Sequence, residues 1–375
     1  MAVADVVIIG GGVIGCSVAY HLAQAGIGNV VLIERARLAS GVTGICPGGI
    51  RQQFEGEADC VLARRSVRFY ERIDEILEPE HPFVFERSGY LFLADSTDVL
   101  DQFRRNVAMQ NRLGIPSEIL DTAAVSKLLP RMNTTGVIGA SFCREDGFIE
   151  DCHGVTYALA ARARDKGMRV VQDEATRLVR RGRSWEVQAP RTSFEAEHVV
   201  LAAGVDTLPL AATAGLTLPI RAERRRLVYS TPAETGQMNP LVVAQERGFA
   251  GKQLTSGVFY MGWLRETSAD DDLTFIEKTL EAGSTLMPVL TELPARRVLG
   301  GLYDSTPDHR PLLGAAPGAP GLHLAVGFSG HGFMIAPVVG EIVTAGITGA
   351  ELDLSVGQFS MARFSEATPD EGLVI

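Results

Sequence analysis

An α/β fold with a nucleotide-binding core follows from three features of the 375-residue sequence. An apolar strand, a glycine turn and a helix of small residues open the chain. Strands dominate residues 219–300, and a second glycine turn opens an apolar helix near the C-terminus.

In the first feature, residues 6–9 (VVII) run into Gly10, Gly11, Gly12, Val13, Ile14 and Gly15, and a second strand at residues 30–33 ends in Glu34. Gly10 permits the tight turn, Gly12 removes the side chain that would block a pyrophosphate, and Gly15 lets the helix pack on the strand. This is the Rossmann-type arrangement, in which helix N-terminal amides face phosphate oxygens. Glu34 follows at the spacing where a carboxylate accepts hydrogen bonds from ribose hydroxyls and repels a 2′-phosphate. The ligand is therefore an adenosine diphosphate derivative such as FAD or NAD.

Residues 38–51 hold Ser40, Gly41, Thr43, Gly44, Gly48, Gly49 and Arg51. That loop is too glycine-rich for a helix interior and too apolar for a free linker, so it lets backbone approach a ligand. From Ala58 the apolar period is helical through Leu62, Ser66, Phe69, Ile73 and Ile76, until Pro79 and Pro82 stop it. A strand at 90–93, a helix over 99–113 and a short helix near 123–129 form an inserted substrate domain. Near Asp151 the chain re-enters the nucleotide domain, with a helix over 155–166 and strands at 169–171, 185–188 and 199–201. The last of these runs into Ala202, Ala203 and Gly204, small enough to lie against a cofactor.

Strands follow at 226–230 and 241–244, then a hairpin of 248–254 with 258–263 and a helix over 273–287. Centring the hairpin on Ser256 pairs Lys252 with Tyr260 on one face. Lys252 reads equally well as a solvated strand residue. The strand at 322–326 then enters Gly327, Phe328, Ser329, Gly330, His331 and Gly332 and a helix over 333–347, whose free amides face something anionic.

Composition excludes other classes. A content of 46% hydrophobic and 21% charged residues describes a soluble globular chain with room for two domains. The net charge of −10 disfavours nucleic acid and anionic membranes. Pro337, Gly340 and Glu341 interrupt the apolar C-terminal stretch, so a packed helix is expected there and no membrane span. Five cysteines without metal-ligand spacing, and no secretory signal, suit reduced thiols in a cytoplasm. Lysine is scarce, with Lys127, Lys166, Lys252 and Lys278 the full set.

Together, GGGVIG with Glu34, SGVTG…GGIR, LAAG, GLYDSTPDHRPLLG and GFSGHGF resemble the D-amino-acid oxidase family of flavoproteins, on the side of sarcosine oxidase β-subunits and glycine oxidases. The resemblance spans essentially the whole chain. It implies a Rossmann-type FAD-binding domain with a discontinuous, mostly antiparallel β substrate domain over the flavin ring. The expected boundaries are 1–80, 150–218 and 301–365 for the FAD domain, 81–149 and 219–300 for the substrate domain, and a tail at 366–375.

By the same resemblance, Gly10, Gly12, Val13, Ile14 and Gly15 hold the pyrophosphate and Glu34 the ribose, with Arg35, Ala175, Ala203 and Gly204 nearby. Ser40, Gly41, Thr43, Gly44, Gly48 and Gly49 lie beside the flavin, and Gly330, His331, Gly332, Phe333 and Met334 form the turn at its pyrimidine edge. Arg51 matches an arginine that reaches the substrate carboxylate, and Tyr303 a tyrosine lining the same cavity.

Three departures accompany this match. The cysteine that attaches flavin in monomeric sarcosine oxidases is Gly301 here, so non-covalent FAD is expected. A second carboxylate-binding lysine is Met334. The oxygen-activating lysine falls at Tyr260, leaving Lys252 as the lysine nearby. The implied chemistry is oxidation of an amine or amino acid, with His331, Tyr260 and Tyr303 offering polar contacts and oxygen or another acceptor taking the electrons. Surface pairing of Arg51 with Glu55 or Glu57 is the competing reading of that residue. Three alternatives of function stand beside it: an NAD-dependent dehydrogenase, a flavin hydroxylase, disfavoured because no GDAAH-like segment is found, and a non-catalytic FAD-carrying subunit of a heteromeric amine-, opine- or proline-type dehydrogenase; assembly as a homo- or hetero-oligomer stays open.

Overall fold

The computed structural model describes residues 1–364, so the tail expected at 366–375 lies outside the described residues. A large sheet forms the nucleotide half. Its strands run Arg177–Arg181, Ser184–Gln188, Ser193–Leu201, Ala2–Ile9, Val30–Glu34 and Arg169–Gln172 across the sheet. Leu322–Val326 pairs in parallel with the far end of Ser193–Leu201, and Leu312–Ala315 folds back on it. Val7 sits between Val199 and Val31 in parallel register. Such strands are covered on both faces, which is why they read as unbroken Val, Ile and Leu.

Helices Val13–Gln24, Cys152–Asp165, Glu57–Tyr70 and Gly332–Thr348 cover one face, in a core that includes Ile8, Leu22, Leu32 and Val339. Leu201, Trp185 and Leu324 anchor a second core on the other face. Gly340 lets the first and last of these helices cross closely, since a Cβ there would lie 2.6 Å from Ser17 Oγ.

The second eight-stranded sheet runs Ala295–Ser305, Arg221–Pro232, Val258–Trp263, Phe249–Gln253, Leu241–Ala244, Tyr90–Ala94, Gly139–Cys143 and Ser117–Leu120. Every junction is antiparallel except that of Leu241–Ala244 with Tyr90–Ala94, which is parallel. A three-stranded sheet of Gly49–Ile50, Gly147–Ile149 and Phe85–Glu86 ties the glycine-rich loop of residues 38–51 to the inserted segment.

Two expectations are corrected. The strand Ala295–Ser305 pairs along its length with Arg221–Pro232, so the boundary drawn at residue 300 cuts through one strand of the antiparallel sheet. The helix expected from Ala58 breaks into Glu57–Tyr70 and Ile73–Leu77 before either proline. Asp74 there accepts the Phe83 N–H at 2.8 Å, and Glu78 closes the second piece in the left-handed conformation at φ +40°.

Candidate active site

The glycine turn is as tight as its composition requires. Gly10 adopts φ +112°, where a Cβ would lie 2.4 Å from the Ala202 carbonyl oxygen. A Cβ on Gly15 would fall 1.9 Å from the Gly10 oxygen. Glu34 reaches back to this turn, its carboxylate accepting the Gly11 N–H at 2.7 Å and the Ala36 N–H at 2.8 Å. Val13 and Ile14 are buried at the head of the helix, where Thr43 Oγ1 accepts the Val13 N–H at 3.2 Å. Arg35 pairs with Asp206 at 2.8 Å, which draws Ala203 and Gly204 toward the end of the Glu34 strand. It also lies 3.9 Å from Glu174, the neighbour of Ala175.

Ser40 and Gly41 are both exposed, and Gly44 sits against Ala39 and His153. Gly48 and Gly49 are enclosed: a Cβ would lie 1.9 Å from the Ile149 oxygen at the first and 2.3 Å from the Tyr90 hydroxyl at the second. The Gly330 turn has φ +92° and rests on the Tyr303 ring, 2.4 Å from where a Cβ would be. His331 stands at the N-cap position of the next helix, ahead of half-buried Gly332 and buried Phe333 and Met334.

The antiparallel sheet presents one face to these turns. Its cross-strand register places Tyr303, Gly301, Tyr229, Tyr260, Lys252, Ala250, Val243, Phe92 and Ser141 on that face. The pairing of Lys252 with Tyr260 is the one expected from the sequence. Lys252 is not solvated: it is fully buried, with Nζ 3.2 Å from the Phe148 ring centroid and 5.3 Å from that of Tyr260. Neither Lys252 Nζ nor the Tyr260 hydroxyl has a hydrogen-bond partner among the described residues. Burial pulls the lysine down to about 7, against the fields of Glu150, Cys152 and Cys46. Desolvation pushes Tyr260 well up. Cys46 lies in the same region, its thiol drawn down by a hydrogen bond from Cys152 and, less strongly, by the Gly48 N–H. All five cysteines are free thiols.

Further along that face, Phe92, Ser141 and Val243 line a cavity of about 140 Å³, with Arg51 and His331 in its wall. Arg51 is only 7% exposed. One guanidinium nitrogen donates to the Gln53 carbonyl oxygen, the other lies 3.1 Å from His331 Nε2, and the fork stacks 4.0 Å from the Phe54 centroid. Arg51 is therefore an interior group held beside a cavity rather than a solvated surface one. The structure thus brings Arg51 and His331 to the cavity, while Lys252, Tyr260 and Tyr303 stand on the same sheet face outside its lining.

Several residues of the site carried no signal that singled them out. Tyr90, Phe148, Tyr229 and the buried set of Gln52, Gln53 and Asp146 fall here. The run Gln52-Gln53 behind Arg51 was a weak hint, since two consecutive amides are unusual in an apolar glycine loop. Asp146-Gly147 reads only as a turn.

A tight glycine turn between strand and helix, a sheet face whose buried Lys252 and Tyr260 polar atoms have no partner among the described residues, and a cation-walled cavity alongside are the parts of a dinucleotide-dependent oxidoreductase. The chain belongs to the family of FAD-dependent oxidoreductases (DAO), which matches residues 5–345, so the nucleotide is FAD. Sarcosine dehydrogenase of Mus musculus is 26% identical over 387 residues, covering 98% of this chain and 42% of that protein. FAD-dependent oxidoreductase domain-containing protein 1 of Bos taurus is 29% identical, covering 96% and 84%. Among solved structures, L-proline dehydrogenase from P. horikoshii superposes with a TM-score of 0.91 at 29% identity, covering 97% of this chain and 98% of that one. The chain spans less than half the length of the sarcosine and dimethylglycine dehydrogenases it matches. Among the described residues no helix is long and apolar enough to cross a membrane.

The residues present fit FAD. Gly12 carries no side chain toward Thr43, the helix amides and Glu34 converge on the turn, and Lys252 and Tyr260 hold buried polar atoms without partners. At Gly301 a Cβ would lie 2.6 Å from Ile45 Cδ1 and 3.0 Å from Val42 Cγ1, so the loop is packed against a glycine.

Proposed function

We propose that this protein oxidises the C–N bond of an amino acid or N-alkyl amino acid to an imine, with non-covalent FAD. One observation carries the reading: a buried arginine at the end of the flavin-side loop forms the wall of a largely apolar cavity. A planar guanidinium there binds a carboxylate through two charge-assisted hydrogen bonds. The names of the relatives agree, since sarcosine, dimethylglycine and proline all join a carboxylate to an alkylated nitrogen.

FAD, when bound, supplies the acceptor for the hydride that leaves the substrate carbon. The chain supplies placement and protons. Arg51 orients the substrate by its carboxylate, and Phe54 and Phe92 keep the fork flat and dry. The amides of the His331–Gly332 turn place a positive dipole end toward the cofactor side. Lys252 and Tyr260 are the groups placed to hold or move a proton on the sheet face, with Tyr303 beneath the Gly330 turn. Lys252 exchanges its proton near pH 7, which suits it to serve whichever acceptor, oxygen or another, takes the electrons.

A screen of amino acids and N-alkyl amino acids against an artificial acceptor dye tests this. Turnover with amines lacking a carboxylate, and none with those bearing one, would overturn it. A second reading, the FAD-carrying subunit of a heteromeric dehydrogenase, is favoured by the partial span of the curated relatives. Gel filtration of the chain with and without its genomic neighbours separates the two. A cytoplasmic site of action belongs to the same proposal.

A further inference from the structure

The buried carboxylate of Asp146 is unused by the function above. It is fully buried and lies in the turn between Gly139–Cys143 and Gly147–Ile149, where the pairing of Ile50 with Gly147 continues to set it across from Arg51. Oδ1 accepts the Gln52 N–H at 2.9 Å and the Gln52 side-chain amide at 3.4 Å, and Oδ2 accepts from Gln53 Nε2 at 3.1 Å. Gln53 is fixed on every side. Its Nε2 also donates to the Tyr90 carbonyl at 3.0 Å, its Oε1 accepts from the Ser141 hydroxyl at 2.6 Å, and its own carbonyl receives the Arg51 guanidinium.

We propose that Asp146 is the positioning residue for Arg51: by fixing Gln52 and Gln53 it holds the backbone oxygen that aims the guanidinium, so the carboxylate clamp is preformed. This rests on the reading of Arg51 given above. Pre-organisation of this kind improves affinity by lowering the ordering cost of binding. An asparagine is isosteric but cannot replace the aspartate. Its amide nitrogen would meet the Gln53 nitrogen, and flipping Gln53 would turn its oxygen onto the Tyr90 carbonyl. Either arrangement leaves a buried group unsatisfied.

The groups facing Asp146 are Arg51 and the two glutamines from the loop, Cys60 and Arg64 from the helix behind it, Tyr90 from the sheet, and Cys143 and Glu145 from its own turn. Burial pushes Asp146 up to about 6 against the hydrogen bonds of Gln53 and Gln52 and the Arg51 charge, whereas Cys60, Cys143 and Tyr90 are pushed up and stay protonated. The clamp is therefore intact above about pH 6 and loosens as pH falls through that value.

The test measures benzoate binding to the FAD holoenzyme by its visible absorbance. Asp146→Asn should weaken benzoate about 10-fold in the wild-type background and less than about 2-fold on Arg51→Met. The wild-type weakening below about pH 6 should vanish in Asp146→Asn. Equal losses in both backgrounds would make Asp146 merely structural, and no loss would dismiss it. A pH inflection that survives Asp146→Asn would belong to another group and overturn the proposal. Wild-type affinity in Arg51→Met alone would instead refute the Arg51 reading and this inference with it. Should Asp146→Asn not fold, Gln53→Leu cuts the same link and must show the same Arg51-dependent loss; its failure to do so overturns the proposal.

Discussion

Lys252 offers a stability experiment on a residue proposed to take part in the reaction. In the folded chain it gives up its proton near pH 7, against 10.5 for a free lysine, because the ammonium is fully buried. The unfolded chain therefore binds more protons between these values, and stability rises with pH across the interval about 7 to 10.5. At neutral pH and below, the cost of the buried charge is on the order of 4–5 kcal/mol. Contact with the Phe148 ring, 3.2 Å away, returns about 1–2 kcal/mol. Methionine has a similar shape and no charge, so Lys252→Met should stabilise the flavin-free protein by about 2–4 kcal/mol at pH 7. The gain should fade toward pH 10. The assay is urea unfolding of flavin-free wild type and variant at pH 6, 7, 8.5 and 10, read as the difference between the two, which cancels every other titrating group. A difference independent of pH, or a destabilised variant at pH 7, would show that Lys252 is solvated or paired, and the account of its proton would fail.

Three further outcomes follow from the site. Arg51→Met should weaken a carboxylate substrate or inhibitor by at least about 30-fold with FAD content unchanged, since truncating a buried charge contact costs about 2–5 kcal/mol; titration of an inhibitor checks it, and retained affinity would put the carboxylate elsewhere. Acid precipitation of the holoenzyme should leave the yellow colour in the supernatant, because residue 301 is a glycine packed against Ile45; colour on the pellet would point to Cys46. Turnover with oxygen should be slow relative to a dye, because Tyr260 falls where the resemblance read from the sequence puts an oxygen-activating lysine. Comparable rates would count against this unless Lys252→Met abolished the oxygen reaction alone.

What could be read in advance depended on how local the signal was. The hairpin register of Lys252 with Tyr260 was legible because a short turn and a period of two fix it within a dozen residues. The glycine turn was legible for a similar reason: Gly10 and Gly15 each face backbone that leaves no room for a Cβ. Gly139–Cys143 escaped because GASFC lacks alternation, its residues being buried on both faces. Gly49–Ile50 escaped because a two-residue strand inside a glycine loop has no period at all. The link from Arg51 through Gln53 to Asp146 spans most of a hundred positions, and nothing local to either end records it. Burial of Lys252 was equally hidden, since alternation tells which residues share a face but not whether that face is dry.

The single parallel seam in the antiparallel sheet has a consequence for how the polypeptide is made. Tyr90–Ala94 is apolar and buried throughout, and one of its edges stays bare until Leu241–Ala244 emerges. That wait is roughly 150 residues, or about 7–30 s at the pace of translation. During it a ready-made β template faces solvent or the next nascent chain. Loss of yield on fast overexpression should therefore trace to this strand rather than to the nucleotide half, whose opening strands are covered by helices as they appear. Slower synthesis, or a charged residue in place of Leu93 in a screen for solubility, acts on that interval and not on the finished enzyme's chemistry.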